Sequence, residues 1–248
     1  MPPFDWFLLT TVSFVAALVQ ASTGFGFAIV AVPFYLIILG SLTAIQVSLM
    51  VTLVITVVIA MRVWHAAPPA LLGRLVVGTL VGFPLGIVAY RHADLETAKL
   101  AVGLLITGFA AWLFLAQRGR PVVENPATHP FADVAIGIVS GAMTTSLGMP
   151  GPVILIYLSL LATGKEAMRA TMLALFVFSN AGAIAFQEWQ VGIDGATWTM
   201  AAILIPAGLV GAAVGHGVSR YLNQRTFRSA VLAILAATGL YMLWTSVT

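Results

Sequence analysis

Residues 20–33 read QASTGFGFAIVAVP and form a polar, glycine-containing break in an otherwise apolar stretch over residues 4–39. A membrane helix is normally smooth, because hydrocarbon offers no partner to backbone groups that leave the helical hydrogen-bond pattern. Glycine allows the backbone to bend sharply at such a point. We therefore predict that the first membrane helix breaks between Thr23 and Gly26 and that a second, separate helix follows.

The composition around this break is that of a chain that lies in a membrane. Of its 248 residues, 60% are hydrophobic and only 8% are charged. So few charges cannot cover the surface of a soluble domain, and continuous apolar runs favour helices over the alternating strands of a β-barrel. The 11 Lys and Arg are scattered among short loops, so nucleic acid is not expected as a partner. The predicted fold class is an all-α integral membrane protein that crosses the membrane several times and whose partner is the lipid bilayer.

The sequence offers little support for an enzyme. It contains no cysteine, and its four histidines lie at segment ends or in loops without metal-ligand spacing. None of the common hydrolase, metalloprotease or phosphate-binding motifs is present. We expect neither a cofactor nor a metal. No Asp or Glu lies deep in an apolar segment, so a proton relay through a buried carboxylate is not predicted.

Ten apolar segments follow one another along the chain. They span residues 5–21, 26–39, 43–64, 71–90, 97–116, 132–146, 149–162, 167–187, 197–217 and 226–246. A polar connector separates the first five segments from the last five. We therefore predict a first membrane repeat over residues 1–117, a cytoplasmic connector over residues 118–131 and a second membrane repeat over residues 132–248.

The two halves resemble copies of one another. TGFGFAIVAVPFYL (23–36) aligns with TSLGMPGPVILIYL (145–158), and three more pairs of stretches match in the same order. The alignment pairs Thr23 with Thr145, Gly26 with Gly148, Tyr35 with Tyr157 and Ser48 with Thr171. Duplication explains this order better than chance similarity between apolar sequences.

The basic residues predict that the halves have opposite orientations. Lys and Arg favour cytoplasmic loops. Such residues include Arg62 with Arg74 and Lys165 with Arg169. The chain then crosses the membrane toward the cytoplasm in segment 43–64 and away from it in segment 167–187, with both termini outside the cell. Inverted repeats are common in secondary transporters. The first two segments of each half are short, so they form either two short crossings or a re-entrant hairpin that turns at the break.

Both breaks have the chemistry of an anion site. The first N–H groups of a helix lack partners within it, and the helix dipole adds positive charge at the same end. Hydroxyl groups near each break provide further donors. The predicted substrate-binding residues are Gln20, Ser22, Thr23, Gly24, Phe25 and Gly26 at the first break, and Thr144, Thr145, Ser146, Gly148 and Gly151 at the second.

The same small residues could instead allow helices to pack closely. We favour this interpretation for the isolated glycines Gly78, Gly82, Gly86, Gly103 and Gly108.

Four further residues complete the predicted site. Ser48 and Thr171 occupy equivalent places in the two halves, although each hydroxyl could bond only to its own helix. Arg169 either marks a cytoplasmic helix end or attracts the anion. Asn180 either bonds to a neighbouring helix or contacts the ligand.

The paired motifs QASTGFGFAIVAVP and TSLGMPGPVILIYL, each followed by an Ala-x-x-x-Ser/Thr helix start, resemble the sulfite exporter TauE/SafE family of membrane permeases. The resemblance covers essentially the whole chain. It implies transport of small sulfur-containing anions such as sulfite, thiosulfate, sulfonates and sulfo-acids across a bacterial-type plasma membrane.

The prediction that follows is a carrier of a small sulfur-containing oxyanion that works by alternating access about the two breaks. A passive anion channel that uses the same helix ends and a membrane scaffold without transport are the alternatives. The oligomeric state is left open, with a homodimer as one alternative.

Overall fold

A computed structural model describes residues 2–115, 129–161, 164–218 and 224–245. Most of the predicted connector, including Arg118 and Arg120, lies outside these residues. Within them the chain forms ten α-helices and one short 3₁₀ turn at Trp64–Ala66. The helices are α1 (Pro3–Thr23), α2 (Phe27–Leu39), α3 (Thr43–Ala60), α4 (Pro69–His92), α5 (Leu95–Leu115), α6 (Pro130–Leu147), α7 (Gly151–Leu160), α8 (Lys165–Gln190), α9 (Gly195–Val218) and α10 (Gln224–Thr245).

Each predicted apolar segment corresponds to one helix. Seven of the described helices are long and apolar enough to cross a membrane. The shorter apolar helices are α2, α7 and residues 233–245 of α10. The all-α membrane fold is thereby confirmed, and a break divides the first apolar stretch of each half into two helices. The expectation that both helices of each pair are short is wrong for the first one, because α1 has 21 residues and α6 has 18, and both are long enough to cross a membrane.

The distribution of polar side chains is that of a protein surrounded by lipid. Large apolar side chains are exposed along the outer helices, for example Leu80 and Leu85 on α4 and Leu104 on α5. Many polar side chains are instead buried between helices, where each hydroxyl or amide must find a partner inside the protein. Helices α3 and α8 are the most buried of the long helices and form the centre of the bundle.

Helices from the two halves pack against each other in pairs. The most extensive contacts join α4 to α6 and α1 to α9, followed by α5 with α10 and α3 with α8. The first helix of each half thus packs on the fourth helix of the other half. Two related halves would produce this reciprocal packing of first and fourth helices. The inverted orientation of the halves and the membrane side of each terminus stay predictions.

Glycines make the closest of these contacts possible. A Cβ added at Gly78, Gly82 or Gly86 of α4 would lie 2.0–2.1 Å from an atom of α6. In the other pair, a Cβ at Gly211 of α9 would lie 2.2 Å from the Phe14 carbonyl oxygen of α1. This spacing of small residues lets two helix backbones touch.

The packing interpretation also holds for Gly103, whose added Cβ would meet α10 at 3.1 Å. It finds no support at Gly108, because no described atom lies within 4 Å of a Cβ placed there.

Candidate anion site

The first break separates α1 from α2 through two glycines with left-handed backbone conformations. Gly24 (φ 89°) ends α1, and its N–H donates to the Gln20 carbonyl oxygen at 2.7 Å. Gly26 (φ 108°) stands just before α2. Residues with a Cβ rarely adopt such φ values, so glycine is required for α2 to begin immediately after α1 ends. The amides of Phe27, Ala28 and Ile29 lie in the first turn of α2, where backbone N–H groups have no partner within the helix.

The second break is built differently. Gly148 (φ 69°) ends α6, and Pro150 directly precedes Gly151, the first residue of α7. Proline suits the first turn of a helix but has no N–H to donate. Because Pro152 follows as well, the N-terminal turn of α7 offers fewer donors than the corresponding turn of α2.

The two breaks meet at one small cavity. Its volume is about 10 Å³, close to the space that one water molecule needs. The lining residues come from both helix starts and from the central helices: Gln20, Gly26, Phe27, Ala28, Ile29, Thr52, Pro150, Gly151 and Phe176. Since Thr52 and Phe176 lie near the middle of α3 and α8, the cavity is at mid-depth in the bundle.

Two of the residues that line this cavity each carry a buried polar atom that has no partner within the described part of the chain. Gln20 is 1% exposed, and its Nε2 donates to Thr56 Oγ1 at 2.7 Å, which leaves Oε1 without a hydrogen bond. Thr52 is 3% exposed, and its Oγ1 is also unpartnered. A buried polar atom without a partner costs about 1–3 kcal/mol, so a ligand that satisfied either atom would gain binding energy.

The hydroxyl groups that flank the breaks bond to backbone carbonyls. Each donates to a carbonyl four residues earlier in its own helix: Ser22 to Leu18, Thr23 to Val19, Thr144 to Ser140, Thr145 to Gly141, Ser146 to Ala142 and Thr171 to Ala167. Ser22 and Thr145 also lie within hydrogen-bond distance of carbonyls on α9 and α4, and the shortest contact of Thr23 Oγ1, 2.6 Å, is with the Phe25 carbonyl oxygen. None of these six residues lines the cavity described above.

Side chains from α8 hold the carbonyl ends of α1 and α6. Arg169 Nη2 donates to the Ala21 carbonyl oxygen at 2.9 Å, and its aliphatic part lies against Gly24. A cation at the C-terminal end of a helix also complements the helix dipole. Near the other end of α8, Gln187 Nε2 donates to the Thr145 carbonyl oxygen at 2.7 Å. One central helix therefore fixes both breaks.

Three other predicted site residues lie elsewhere in the bundle. Ser48 is fully buried, and its Oγ finds no partner among the described residues. Asn180 Nδ2 donates to the Phe176 carbonyl oxygen at 2.7 Å, so the amide supports the helix that carries a cavity residue. The ring of Phe25 packs edge-on against Phe109 with centroids 6.3 Å apart.

Of the predicted site residues, the structure thus brings Gln20, Gly26 and Gly151 together at the cavity. That any of the predicted residues contacts a substrate stays a prediction. Sequence reasoning missed Thr52. A signal was present, because hydroxyls at positions 48, 52 and 56 recur every four residues and therefore share one face of α3.

Sequence reasoning also missed a buried carboxylate, which lies at the edge of an apolar segment. Asp133 in the first turn of α6 is fully buried. Its Oδ2 lies 2.8 Å from Arg74 Nε on α4, and its Oδ1 accepts a hydrogen bond from the Tyr157 hydroxyl on α7. Asp133 escaped notice because it stands beside the polar connector in the sequence. Among the described residues, no group of three or more His, Cys, Asp or Glu could hold a metal ion.

The fold and this site define a multi-pass membrane protein in which two broken helix pairs line one buried cavity. The model of the sulfite exporter TauE/SafE family matches residues 9–242, and the chain belongs to that family. The family and the apolar helices together place the protein in the plasma membrane.

One curated relative is a probable sulfite/organosulfonate exporter TauE from Cupriavidus necator. It is 23% identical over 179 residues, which are 71% of this chain and 66% of the relative. The match therefore spans slightly less than two thirds of the relative's length. No solved structure matches the chain. Neither comparison bears on a homodimer, which stays a prediction.

Proposed function

We propose that this protein is a carrier of a small sulfur-containing oxyanion and that the anion binds between the N-terminal turns of α2 and α7. The observation that carries the proposal is the cavity that both turns line at mid-depth in the bundle. Helix N-termini attract anions through free N–H groups and the helix dipole without needing a fixed cation. Family membership and the name of the C. necator relative support the sulfur chemistry.

The size of the cavity supports alternating access as the mechanism. A space of about 10 Å³ holds at most one water and is too small for sulfite. Binding therefore requires the two helix starts to separate, and release on the opposite side requires a second rearrangement. Rocking of one half against the other about a fixed site is the usual way in which repeat-built carriers achieve this.

The first experiment tests for the site with purified protein in detergent and in proteoliposomes. Sulfite, thiosulfate, methanesulfonate, sulfate and chloride are compared by thermal shift and then by flux. We expect one or more of the sulfur anions to stabilise the protein and to be transported with saturable kinetics. A current through single channels would favour the passive channel, and a folded protein that responds to no anion would contradict the proposal.

A matched pair of glycine variants tests the location. Gly151→Ala adds a methyl group to the cavity wall, 3.4 Å from Phe176 Cζ, whereas Gly108→Ala adds the same group where no described atom lies within 4 Å. One misplaced methyl group in a pocket weakens binding by about tenfold or more. We expect that loss only in Gly151→Ala. Equal affinities in the two variants would place the anion elsewhere.

A further inference from the structure

Gln20, which lines the cavity, carries a hydrogen-bond acceptor that a simple anion does not need. The Gln20 amide can donate through Nε2 and accept through Oε1. Its Nε2 donates one of its two hydrogens to Thr56 Oγ1 at 2.7 Å, whereas Oε1 has no partner at all among the described residues. A carbonyl-type oxygen repels the oxygens of a fully deprotonated anion and attracts an O–H or N–H group.

The surroundings leave this acceptor few other ways to be satisfied. Gln20 is 1% exposed, and most of the cavity wall is apolar, with Phe27, Ile29 and Phe176 among its members. The Thr52 hydroxyl can donate or accept, while the helix N-termini only donate. In the alignment of the two halves Ala142 occupies the place of Gln20, so the amide belongs to one half alone.

We infer that Gln20 determines specificity by selecting a sulfur oxyanion that carries one hydrogen-bond donor. This inference rests on the proposed function. The preferred ligand is a monoanion such as hydrogensulfite, or a sulfonate with a hydroxyl or amino group, whose donor bonds to Gln20 Oε1 while its oxygens face the amides of α2 and α7. A site built around such a bond rejects analogues without the donor, because its buried acceptor is then left unpaired.

The test compares two monoanions that differ in the donor. Hydrogensulfite carries an O–H group, and methanesulfonate carries a methyl group and keeps its single charge across the experimental pH range. Binding to the wild type is measured by thermal shift and by competition from pH 5.5 to 8.5. We expect hydrogensulfite to bind about tenfold more tightly or better. Apparent sulfite affinity should fall as rising pH removes the proton, while methanesulfonate, the control for pH effects on the protein, changes little.

Two glutamine variants identify the acceptor. Gln20→Met replaces the amide by an apolar side chain of similar length. Gln46→Met makes the same change at a buried glutamine of α3 that bonds to the Gly192 carbonyl oxygen and does not line the cavity. We expect the preference for hydrogensulfite to disappear in Gln20→Met and to persist in Gln46→Met.

The outcomes separate this inference from the proposed function. Equal wild-type affinity for the two monoanions overturns the role of Gln20 and leaves the anion site standing. A preference that survives Gln20→Met, in protein that unfolds at a normal temperature, overturns it as well. Absence of binding by either monoanion to folded wild-type protein overturns both.

Discussion

Gly24 shows how a single residue can hold the first break in place. Its φ of 89° is accessible to glycine, and its Cα faces the aliphatic part of Arg169. A Cβ there would lie 2.7 Å from Arg169 Cγ. Arg169 could move away only by disturbing its 2.9 Å hydrogen bond to the Ala21 carbonyl oxygen. The residue therefore combines a conformational requirement with a steric one.

We expect Gly24→Ala to lower the free energy of unfolding by about 1–3 kcal/mol, because alanine is strained at this φ and its methyl group displaces Arg169. Gly40→Ala is the matched control, since Gly40 also has positive φ (57°) but nothing lies within 4 Å of its added Cβ. Thermal and denaturant unfolding in detergent would measure both. Equal losses in the two variants would show that contact with Arg169 contributes nothing.

The hydroxyl groups near the breaks illustrate a general property of serine and threonine in membrane helices. Their side chains reach the carbonyl four residues earlier, and with no water available this bond is usually the nearest one. Thr145 forms it, and Thr23 forms it beside a shorter contact with the Phe25 carbonyl oxygen. A hydroxyl at a helix break is consequently weaker evidence for a ligand contact than a free helix N-terminus beside it.

At the level of helices, the cluster of Arg74, Asp133 and Tyr157 joins α4, α6 and α7 through one carboxylate. The equivalent tyrosine of the other half, Tyr35, instead lies 2.6 Å from the Ser13 hydroxyl of α1. Both tyrosines thus tie the short helix after a break to the long helix before it. The tyrosine of the second half bonds to a carboxylate that is paired with Arg74 of the first half, whereas the first half joins two neutral groups.

We expect Arg74→Met to destabilise the protein by about 3 kcal/mol or more, because it leaves the buried Asp133 carboxylate without its cation. The double variant Arg74→Met, Asp133→Asn should recover most of that loss, since the amide is uncharged and its oxygen still accepts from Tyr157. Chemical unfolding in mixed micelles would give the three free energies.

Glu96→Gln is the control for this series. It breaks the 3.0 Å ion pair with Lys99, in which the Glu96 side chain is 53% exposed. An exposed ion pair contributes about 1 kcal/mol or less. A double variant as unstable as Arg74→Met alone would argue against an unpaired buried charge as the cause.

For the whole molecule, the position of the cavity at mid-depth makes access the central question. A carrier exposes its site to one side at a time, whereas a channel exposes it to both. The chain is suited to a direct test, because it contains no cysteine that could react in the background. Ala28 lines the cavity, and Glu188 is exposed near the end of α8.

We expect a thiol introduced by Ala28→Cys to react slowly with a membrane-impermeant reagent in sealed proteoliposomes, and to react faster during anion exchange, because the helix starts must separate to admit substrate. Glu188→Cys should react at a constant rate from one side. An Ala28→Cys thiol that is reached freely from both sides at once would contradict alternating access.

The sequence by itself determined the helices and the two breaks. Long apolar runs with few charges must form membrane helices, and a glycine with hydroxyl neighbours can end one within a few residues. These are local properties, which explains why each predicted segment corresponds to a helix. The family was also readable from the two break motifs, because they stand in tandem at matching places.

Only the tertiary structure decided which polar atoms face the cavity and which are satisfied elsewhere. Gln20 and Thr52 are brought together by the packing of α1 on α3, and no spacing within either segment predicts that Thr56 takes the amide N–H of Gln20. Asp133 became a buried residue because α4 and α7 enclose the start of α6. Burial and hydrogen-bond partners depend on contacts between distant segments, and these depend on how the helices pack rather than on any one stretch of sequence.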